Sequence, residues 1–377
     1  MIKNKTIIFT GGHHNSALLV AAALKKEGYR ILWLGHRHTS SIDTNISQEY
    51  KDVIACDITF VDLKSGKMYR GNIWQFFKTV ISFFYCLTLF LKQRPALIVS
   101  FGGYLAVPPV LAAWLLAIPS VSHEQTMVLG MANKAILPFV KKMYLTWPIA
   151  QYKNHKKVKV IGLPYLDQYK SQITKADINL LLKQVGIESK FDDPSKPLLL
   201  ISEGKQGSHS LNVLIEHCLW DLVKHWNILH QCGSNMGTKD YHRLLRKRAK
   251  LPIEMQNSYV IVEYISCFND LINISDLIIG RSGAHTMMEV LRAGKKIITI
   301  PLPFSYGGEQ EKNANKLIEA DLSVMLPQNA ATSKKLLELI NYMENKIVDN
   351  ERLKKVQQEI PLEALDNMVA EIKTLAG

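Results

Sequence analysis

The sequence predicts two doubly wound α/β domains, and three observations lead to that fold class. Short apolar runs alternate with longer helical stretches along all 377 residues, the pattern of βαβ units and parallel sheets. The runs fall into two series separated by a polar stretch, Lys170 to Lys196, that contains Asp192-Asp193-Pro194. Several runs end in glycine-rich or polar turns, where an open parallel sheet places its ligand contacts.

In chain order, the first series is Thr6 to Thr10, Ile31 to Leu34, Ala96 to Ser100 and Ser120-Val121. The second is Leu198 to Ser202, Asn227 to Leu229, Tyr259 to Val262, Leu277 to Ile279 and Ile297 to Ile300. Each run has the length and β-branched content of a buried strand. The expected division is residues 1–163, then 164–350 after a hinge near Gly162-Leu163-Pro164, then a last helical segment, 351–377. No short-period repeat is evident, which excludes a solenoid.

One stretch breaks the pattern. From Ile73 to Leu91 the chain is apolar nearly all round, with Lys78 as its single charge. Its uncharged part is about a dozen residues, short of the ~18–20 that a spanning helix needs. It reads either as a buried crossover helix or as a helix whose outer face dips into a bilayer. Lys67, Arg70, Lys92 and Arg94 would then meet anionic headgroups. The two readings are compatible if one face is core and the other lipid.

Hydrophobic content of 47% and charged content of 21% are those of a globular chain rather than a disordered one. The formal net charge of +13 favours an anionic partner: nucleic acid, an acidic membrane or a phosphorylated substrate. No aromatic-basic motif organises that charge, so nucleic acid is the weakest of the three. The five cysteines are scattered and never form a C-x-x-C pair, which argues against a disulfide scaffold or zinc site. The start leads straight into a strand-like run with no secretory signal.

The stretch with most chemistry is Leu277 to Gly280, then Arg281-Ser282-Gly283-Ala284, then a helix carrying Glu289. Small residues after a buried strand permit close approach to the backbone, and a helix starting near Ala284 would turn its N–H groups toward a diphosphate. Glu289, one to two turns in, can accept hydrogen bonds from a ribose diol. Glu309, Gln310 and Asn313 downstream suit sugar hydroxyls, and Gly204 to Gly207 offers a further cradle. At the amino end, Gly11-Gly12-His13 follows the first strand, with Asn15 or Ser16 as candidate helix caps. A histidine there can act as a base near neutral pH. Gly102-Gly103-Tyr104 and His123-Glu124-Gln125 follow the next strands.

In this order the motifs resemble the MurG family of N-acetylglucosamine transferases. The resemblance rests on Thr10-Gly11-Gly12-His13, Trp33-Leu34-Gly35, Phe101 to Tyr104, His123-Glu124-Gln125, Asn133-Lys134, Gln206-Gly207, Leu211-Asn212, His230-Gln231, Arg281 to Ala284, Thr286, Glu289, Gln310 and Asn313-Ala314. It implies a GT-B fold, two Rossmann-like domains around a cleft, with the last helix crossing back to the first. It also implies UDP-N-acetylglucosamine as donor, an undecaprenyl-linked acceptor (lipid I), and a peripheral position on the anionic cytoplasmic face of the bacterial membrane. Carried over by motif, Ile265 borders the uracil and Glu289 binds the ribose, while Ser282, Gly283, Ala284 and Thr286 approach the nucleotide. Lys205 and Gln206 also lie on the donor side, and Glu309, Gln310 and Asn313 read the sugar. Gly11, Gly12, Gly102, Gly103, Tyr104, His123, Gln125 and Thr126 line the acceptor side. His13, or Glu124 if His13 only orients, is the base of a direct inverting displacement that requires no metal or other cofactor.

The chain departs from the family pattern at several motifs. Ile8-Phe9 replaces a glycine pair, and Thr126 replaces the asparagine after H-E-Q. Gly162-Leu163-Pro164-Tyr165-Leu166 loses an Asn and an Arg of the family motif, and Glu203 and Lys205 stand where small neutral residues are expected. Lys205 is a replacement charge for that Arg, though a poorer bidentate ligand. The first glutamine of the sugar-reading pair is Glu309. These departures leave three rivals to consider: a diverged transferase acting on another lipid-linked acceptor, a UDP-N-acetylglucosamine 2-epimerase, and a non-catalytic sugar-nucleotide-binding paralogue.

Overall fold

The computed structural model describes residues 5–38, 46–66, 73–165, 173–204, 206–234, 237–265, 267–361 and 363–377, and of Tyr306 the backbone only. The chain forms two compact units, Met1–Leu166 with Glu359–Gly377, and Asp167–Gln358.

The first unit runs β1 (Thr6–Thr10), α1 (His14–Lys26), β2 (Arg30–Gly35), α2 (Gln48–Ala55), β3 (Thr59–Asp62), α3 (Ile73–Gln93) and β4 (Leu97–Ser100). It continues through α4 (Val107–Leu115), β5 (Ser120–Glu124), α5 (Met131–Ile136), β6 (Lys142–Leu145) and β7 (Val158–Val160). The strands form a seven-stranded sheet in the order β3-β2-β1-β4-β5-β6-β7, and its pairings are parallel, with Ile8 opposite Leu32 on one side and Ile98 on the other. The order reverses at the β1/β4 boundary, so the loops leaving those two strands flank the switch point where such sheets bind ligands.

The second unit runs α6 (Ile178–Gln184), β8 (Leu198–Ser202), α7 (His209–His225), β9 (Asn227–Gln231), α8 (Asp240–Arg248), α9 (Ile253–Gln256), β10 (Tyr259–Val262), α10 (Phe268–Ile274) and β11 (Leu277–Gly280). After these come α11 (Ala284–Ala293), β12 (Ile297–Thr299), α12 (Glu309–Glu319), β13 (Ser323–Met325), α13 (Ser333–Asn345) and α14 (Asn350–Gln357). Its parallel sheet has the order β10-β9-β8-β11-β12-β13, with the switch between β8 and β11. The last helix, α15 (Ala364–Ala376), belongs to the first unit. Its Met368, Val369 and Ile372 are buried among Val20, Leu24 and Val99, and Glu371 accepts a hydrogen bond from Tyr144 Oη at 3.0 Å.

Every strand run expected from the sequence forms a strand. Four further strands form where the local signal is weak. β3 (Thr-Phe-Val-Asp) and β7 (Val-Lys-Val) are edge strands with half-exposed faces. β6 and β13 carry Lys142 and only three residues respectively. β5 also runs past Val121 through Ser122, His123 and Glu124, all buried. Pairing with β4 and β6 overrides the polarity of that triplet.

The apolar segment becomes the 21-residue helix α3. Thr79, Ser82, Cys86 and Phe90 form its buried face, which packs toward α4. Trp74, Phe77, Ile81, Phe84 and Leu91 remain exposed. Two small hydroxyl side chains thus share the inner face with Cys86 and Phe90, while several large apolar side chains stay outside. The inner hydroxyls are satisfied locally, Thr79 donating to Gln75 O at 2.9 Å and Ser82 to Lys78 O at 2.9 Å. The helix therefore has one face in the core, where the buried-crossover reading expected burial all round, and one exposed apolar face.

Candidate active site

In the first unit the candidate residues gather at the carboxyl ends of β1, β4 and β5. The chain leaves β1 at Thr10, turns through Gly11 and Gly12, and enters α1 with His13 at the N-cap position and no side chain capping it. Asn15 and Ser16, expected as caps, lie inside the first turn because the turn is only three residues long. The N–H groups of that turn carry the positive end of the helix dipole.

The glycines are there for each other as much as for a ligand. A Cβ on Gly12 would stand 2.5 Å from Gly102 O, and one on Gly103 would stand 2.9 Å from the Gly12 Cα. Gly103 also has φ +74°, which favours glycine. The two loops at the switch point thus pack backbone against backbone. Gly11 lies against the Trp33 indole and Glu49, and Tyr104 opens the turn after Gly103 with its ring 5.5 Å from that of His36. Glu49, not singled out from the sequence, accepts a hydrogen bond from Trp33 Nε1 at 2.8 Å, and burial raises its carboxyl to about 7.

Strand alternation splits the H-E-Q motif. His123 is fully buried, its Nε2 is 2.9 Å from Gly162 O, and its ring packs on Phe101. It braces the sheet interior instead of lining an acceptor surface. Glu124 turns to the other side, and its two oxygens are filled. Oε1 accepts the Thr126 N–H at 3.1 Å, with the Thr126 hydroxyl 3.0 Å away. Oε2 accepts from Gly130 N at 2.8 Å and Asn133 Nδ2 at 3.0 Å. A carboxylate so occupied anchors the loop before α5 and is not placed to take a further proton, which corrects the expectation of Glu124 as an alternative base. Thr126, in place of the family's asparagine, belongs to this anchor.

His13 is within reach of that anchor through one residue: Gln125 Nε2 and His13 Nδ1 are 2.7 Å apart. Burial holds the imidazole below the usual histidine range, and the Glu124 charge opposes this without reversing it. The ring is therefore neutral at physiological pH, the form a base requires.

In the second unit, α11 begins at Ala284 behind Gly283, again with no side-chain cap. A Cβ on Gly283 would meet nothing within 4 Å among the described residues, so the space beside Gly283 is open. Ser282 is buried, and its hydroxyl donates to Gln310 O at 2.6 Å. Asn313 Nδ2 donates to Ser282 O at 2.9 Å, and Gln310 Oε1 accepts the Leu302 N–H at 2.9 Å. The start of α12 is thus tied to the start of α11. Glu309 opens α12, half-buried. Thr286 and Glu289 are half-buried along α11, and burial pushes the Glu289 carboxyl up to about 8.

Two supports were not expected from the sequence. Arg281 donates from Nη1 to Ile300 O and Pro301 O at 2.8 and 3.1 Å, and from Nη2 to Ser208 Oγ and Gln328 Oε1 at 2.5 and 2.7 Å. Gln231 donates to Gly204 O at 2.9 Å and accepts from the buried Ile265 N–H at 3.0 Å, which joins the loops after β8 and β10. Gln206 is exposed beside them, and Lys205 lies outside the described residues.

Glu203 does not turn its carboxylate to the ligand side. It is buried, accepts the Ser208 N–H, and stands 3.4 Å from His230 Nε2, whose Nδ1 is 2.8 Å from Tyr259 Oη. Burial raises Glu203 well above the carboxylate range, against the opposing Ser208 bond and Arg281 charge, and pushes His230 down to about 3. Burial thus favours the neutral form of both the acid and the imidazole.

The profile of the glycosyltransferase family 28 N-terminal domain matches residues 6–145, and that of the C-terminal domain matches residues 198–368. With the two parallel sheets, these matches define a GT-B glycosyltransferase. Among known proteins, the chain is similar to the UDP-N-acetylglucosamine–N-acetylmuramyl-(pentapeptide) pyrophosphoryl-undecaprenol N-acetylglucosamine transferase of Legionella pneumophila. Identity there is 29% over 384 aligned residues, covering 98% of the chain and 97% of the relative. The same-named enzyme of Clostridium botulinum is 30% identical over 352 residues, 90% of the chain and 91% of that protein. The crystal structure of Acinetobacter baumannii MurG superposes with a TM-score of 0.71 at 25% identity, covering 98% and 99% of the two chains. The chain belongs to the MurG family.

Proposed function

We propose that this protein transfers N-acetylglucosamine from UDP-N-acetylglucosamine to the undecaprenyl-pyrophosphoryl N-acetylmuramyl-pentapeptide acceptor, converting lipid I to lipid II in peptidoglycan synthesis. The observation that carries this reading is the near-full-length likeness to transferases of that name. It is supported by the family's motif residues standing at the carboxyl ends of both sheets.

In the proposed reaction the neutral His13 imidazole takes the proton of the acceptor hydroxyl. The hydroxyl oxygen bonds to the anomeric carbon as the carbon–phosphate-oxygen bond breaks, inverting the configuration, and UDP departs with that electron pair. The uncapped start of α11, at Gly283 and Ala284, offers N–H groups to the leaving diphosphate. Lys205 adds a charge by its position in the sequence. Glu289 accepts from the ribose hydroxyls, and Glu309, Gln310 and Asn313 hold the sugar. Because these groups supply the needed positive potential, no metal or other cofactor is required in this proposal, and turnover persists in excess chelator.

We place the protein at an anionic membrane surface through the outer face of α3. Lys78, Lys92 and Arg94 lie exposed along and beyond the helix, and Lys67 and Arg70 lie outside the described residues. An exposed row of large apolar side chains rimmed by cations is the composition of an interfacial helix.

The deciding measurement is transfer of labelled N-acetylglucosamine from its UDP donor to lipid I. Labelled lipid II is the expected product, and folded protein that yields none refutes the reading. His13→Ala should cut turnover by about two to four orders of magnitude, and near-normal turnover would remove His13 from the role of base.

A further inference from the structure

The geometry points to Gln125 as a positioning residue that fixes the tautomer of His13, its side-chain oxygen accepting the Nδ1 proton so that Nε2 carries the lone pair. This rests on the reading of His13 as the base, and it assigns Gln125 a task other than touching the acceptor.

Three observations lead there. The first is how firmly Gln125 is held. It follows β5 directly, and Glu124 beside it is bound by the backbone of Thr126 and Gly130 and by Asn133. Asn133 is itself fixed by the Ser122 hydroxyl at 2.8 Å and by His123 O at 3.2 Å. Gln125 therefore leaves the sheet from a densely hydrogen-bonded base, and only 8% of it is exposed. The second is the contact itself, 2.7 Å between the Gln125 amide and His13 Nδ1. The imidazole makes no other hydrogen bond with a described residue, so this amide is what decides where its proton sits.

The third concerns which amide atom faces the ring. With the amide nitrogen toward Nδ1, the imidazole must accept there and carry its proton on Nε2, which leaves no basic lone pair outward. In either orientation the amide atom turned away from the ring is buried with no hydrogen-bond partner among the described residues, so burial does not choose between them and the chemistry of the ring does. A half-turn about the terminal bond exchanges the two amide atoms at nearly the same positions. Oε1 then accepts Nδ1–H, and the lone pair moves to Nε2. Only this orientation makes His13 a base, in the way that an acceptor behind a catalytic imidazole sets its tautomer elsewhere.

Among the described residues, the titratable groups on neighbouring elements are Glu124 from β5, the His14–Asp52 pair (3.1 Å) from the start of α1 and from α2, and Glu49 of α2 behind Gly11. None of them contacts Nδ1.

The test joins spectroscopy and kinetics on the full chain. In nitrogen-15 spectra of the neutral imidazoles, wild-type His13 should show Nδ1 protonated and Nε2 bare. Gln125→Glu keeps that tautomer, retains kcat within about tenfold, and moves the acidic limb of the kcat–pH profile up by about one unit or more, because a carboxylate favours the imidazolium. Gln125→Ala leaves a mixture of tautomers and lowers kcat by about ten- to a hundredfold at nearly unchanged KM for both substrates. A wild-type Nε2 proton, or an unmoved limb in Gln125→Glu, overturns the inference. His13→Ala separates the two failures. If that variant stays active, the base itself is misassigned. If it is inactive while both Gln125 variants keep the wild-type profile, only the role of Gln125 falls. Should Gln125→Ala fail to fold, the wild-type spectrum and the isosteric glutamate still decide.

Discussion

Replacing Ile81 and Phe84 together by alanine should detach the protein from anionic vesicles while leaving its fold intact. These side chains are 67% and 59% exposed, so they contribute little to the core. A large aromatic side chain can bury roughly 200 Å², so the exposed part of Phe84 amounts to about 120 Å². At about 25 cal/mol per Å², full removal from water gives about 3 kcal/mol. An interfacial helix immerses that face only partly, so about half is realised, close to tenfold in partitioning for each residue. The double variant should therefore bind vesicles about a hundredfold more weakly in co-sedimentation, with an unchanged melting temperature. Raising the salt should weaken wild-type binding further, because Lys78 and Lys92 act on headgroups only within a Debye length. Phe83, which looks equivalent in sequence, is half-buried against the first unit's core, and its loss should cost stability instead. Unchanged vesicle binding by the folded Ile81/Phe84 variant would refute the assignment of this face.

Three further outcomes follow from the site. Glu289 has a carboxyl raised to about 8, and ribose hydroxyls donating to it favour the ionised form, so UDP binding near pH 7 should release protons. Calorimetry in buffers of different ionisation enthalpy reads this, Glu289→Gln should abolish it, and buffer-independent heats would sink the role. Stability should fall as pH rises from about 6.5 to 8, since Glu49 and Glu289 keep protons in the folded state that the unfolded chain has already given up. Melting scans of wild type and Glu49→Gln test the sign, and a wild-type curve that rises across this window contradicts it. Arg281→Lys cannot reproduce donation to Ile300 O, Pro301 O, Ser208 and Gln328 from one planar group. It should cost about 2 kcal/mol of stability and raise the donor KM, and a variant with wild-type melting and KM would show the fork to be dispensable.

How much was legible from the sequence depends on whether the information is local. The donor half could be read because its groups arrive in one continuous order: an apolar strand, Arg281 to Ala284, then Glu289 at helical spacing. Each step follows from residues within about ten positions. The strands that went unread, β3 and β6 among them, are short or carry charge. They exist because a neighbouring strand supplies hydrogen bonds, which no window of sequence records. The glycines Gly12 and Gly103 could be marked but not explained, because their reason is one another, 91 residues apart in the chain and in backbone contact at the switch point.

The same limit decides which charged residues were misjudged. Glu124 looked like a spare base because a carboxylate beside a histidine and a glutamine is chemically apt. Its fate was settled by Gly130 and Asn133, whose arrival depends on how the chain turns after β5. Glu203 looked like an intruder in a phosphate cradle, and the fold turns it inward onto His230, which in turn meets Tyr259, where burial favours the neutral form of both acid and imidazole. In each case the residue type was correctly noticed and the direction of the side chain was not available. Direction is what separates a candidate base from an anchor: His13 keeps one ring nitrogen with no hydrogen-bond partner among the described residues, while both Glu124 oxygens accept hydrogen bonds. The site's acid–base chemistry therefore follows from which polar groups the fold leaves unfilled rather than from which ones the sequence contains.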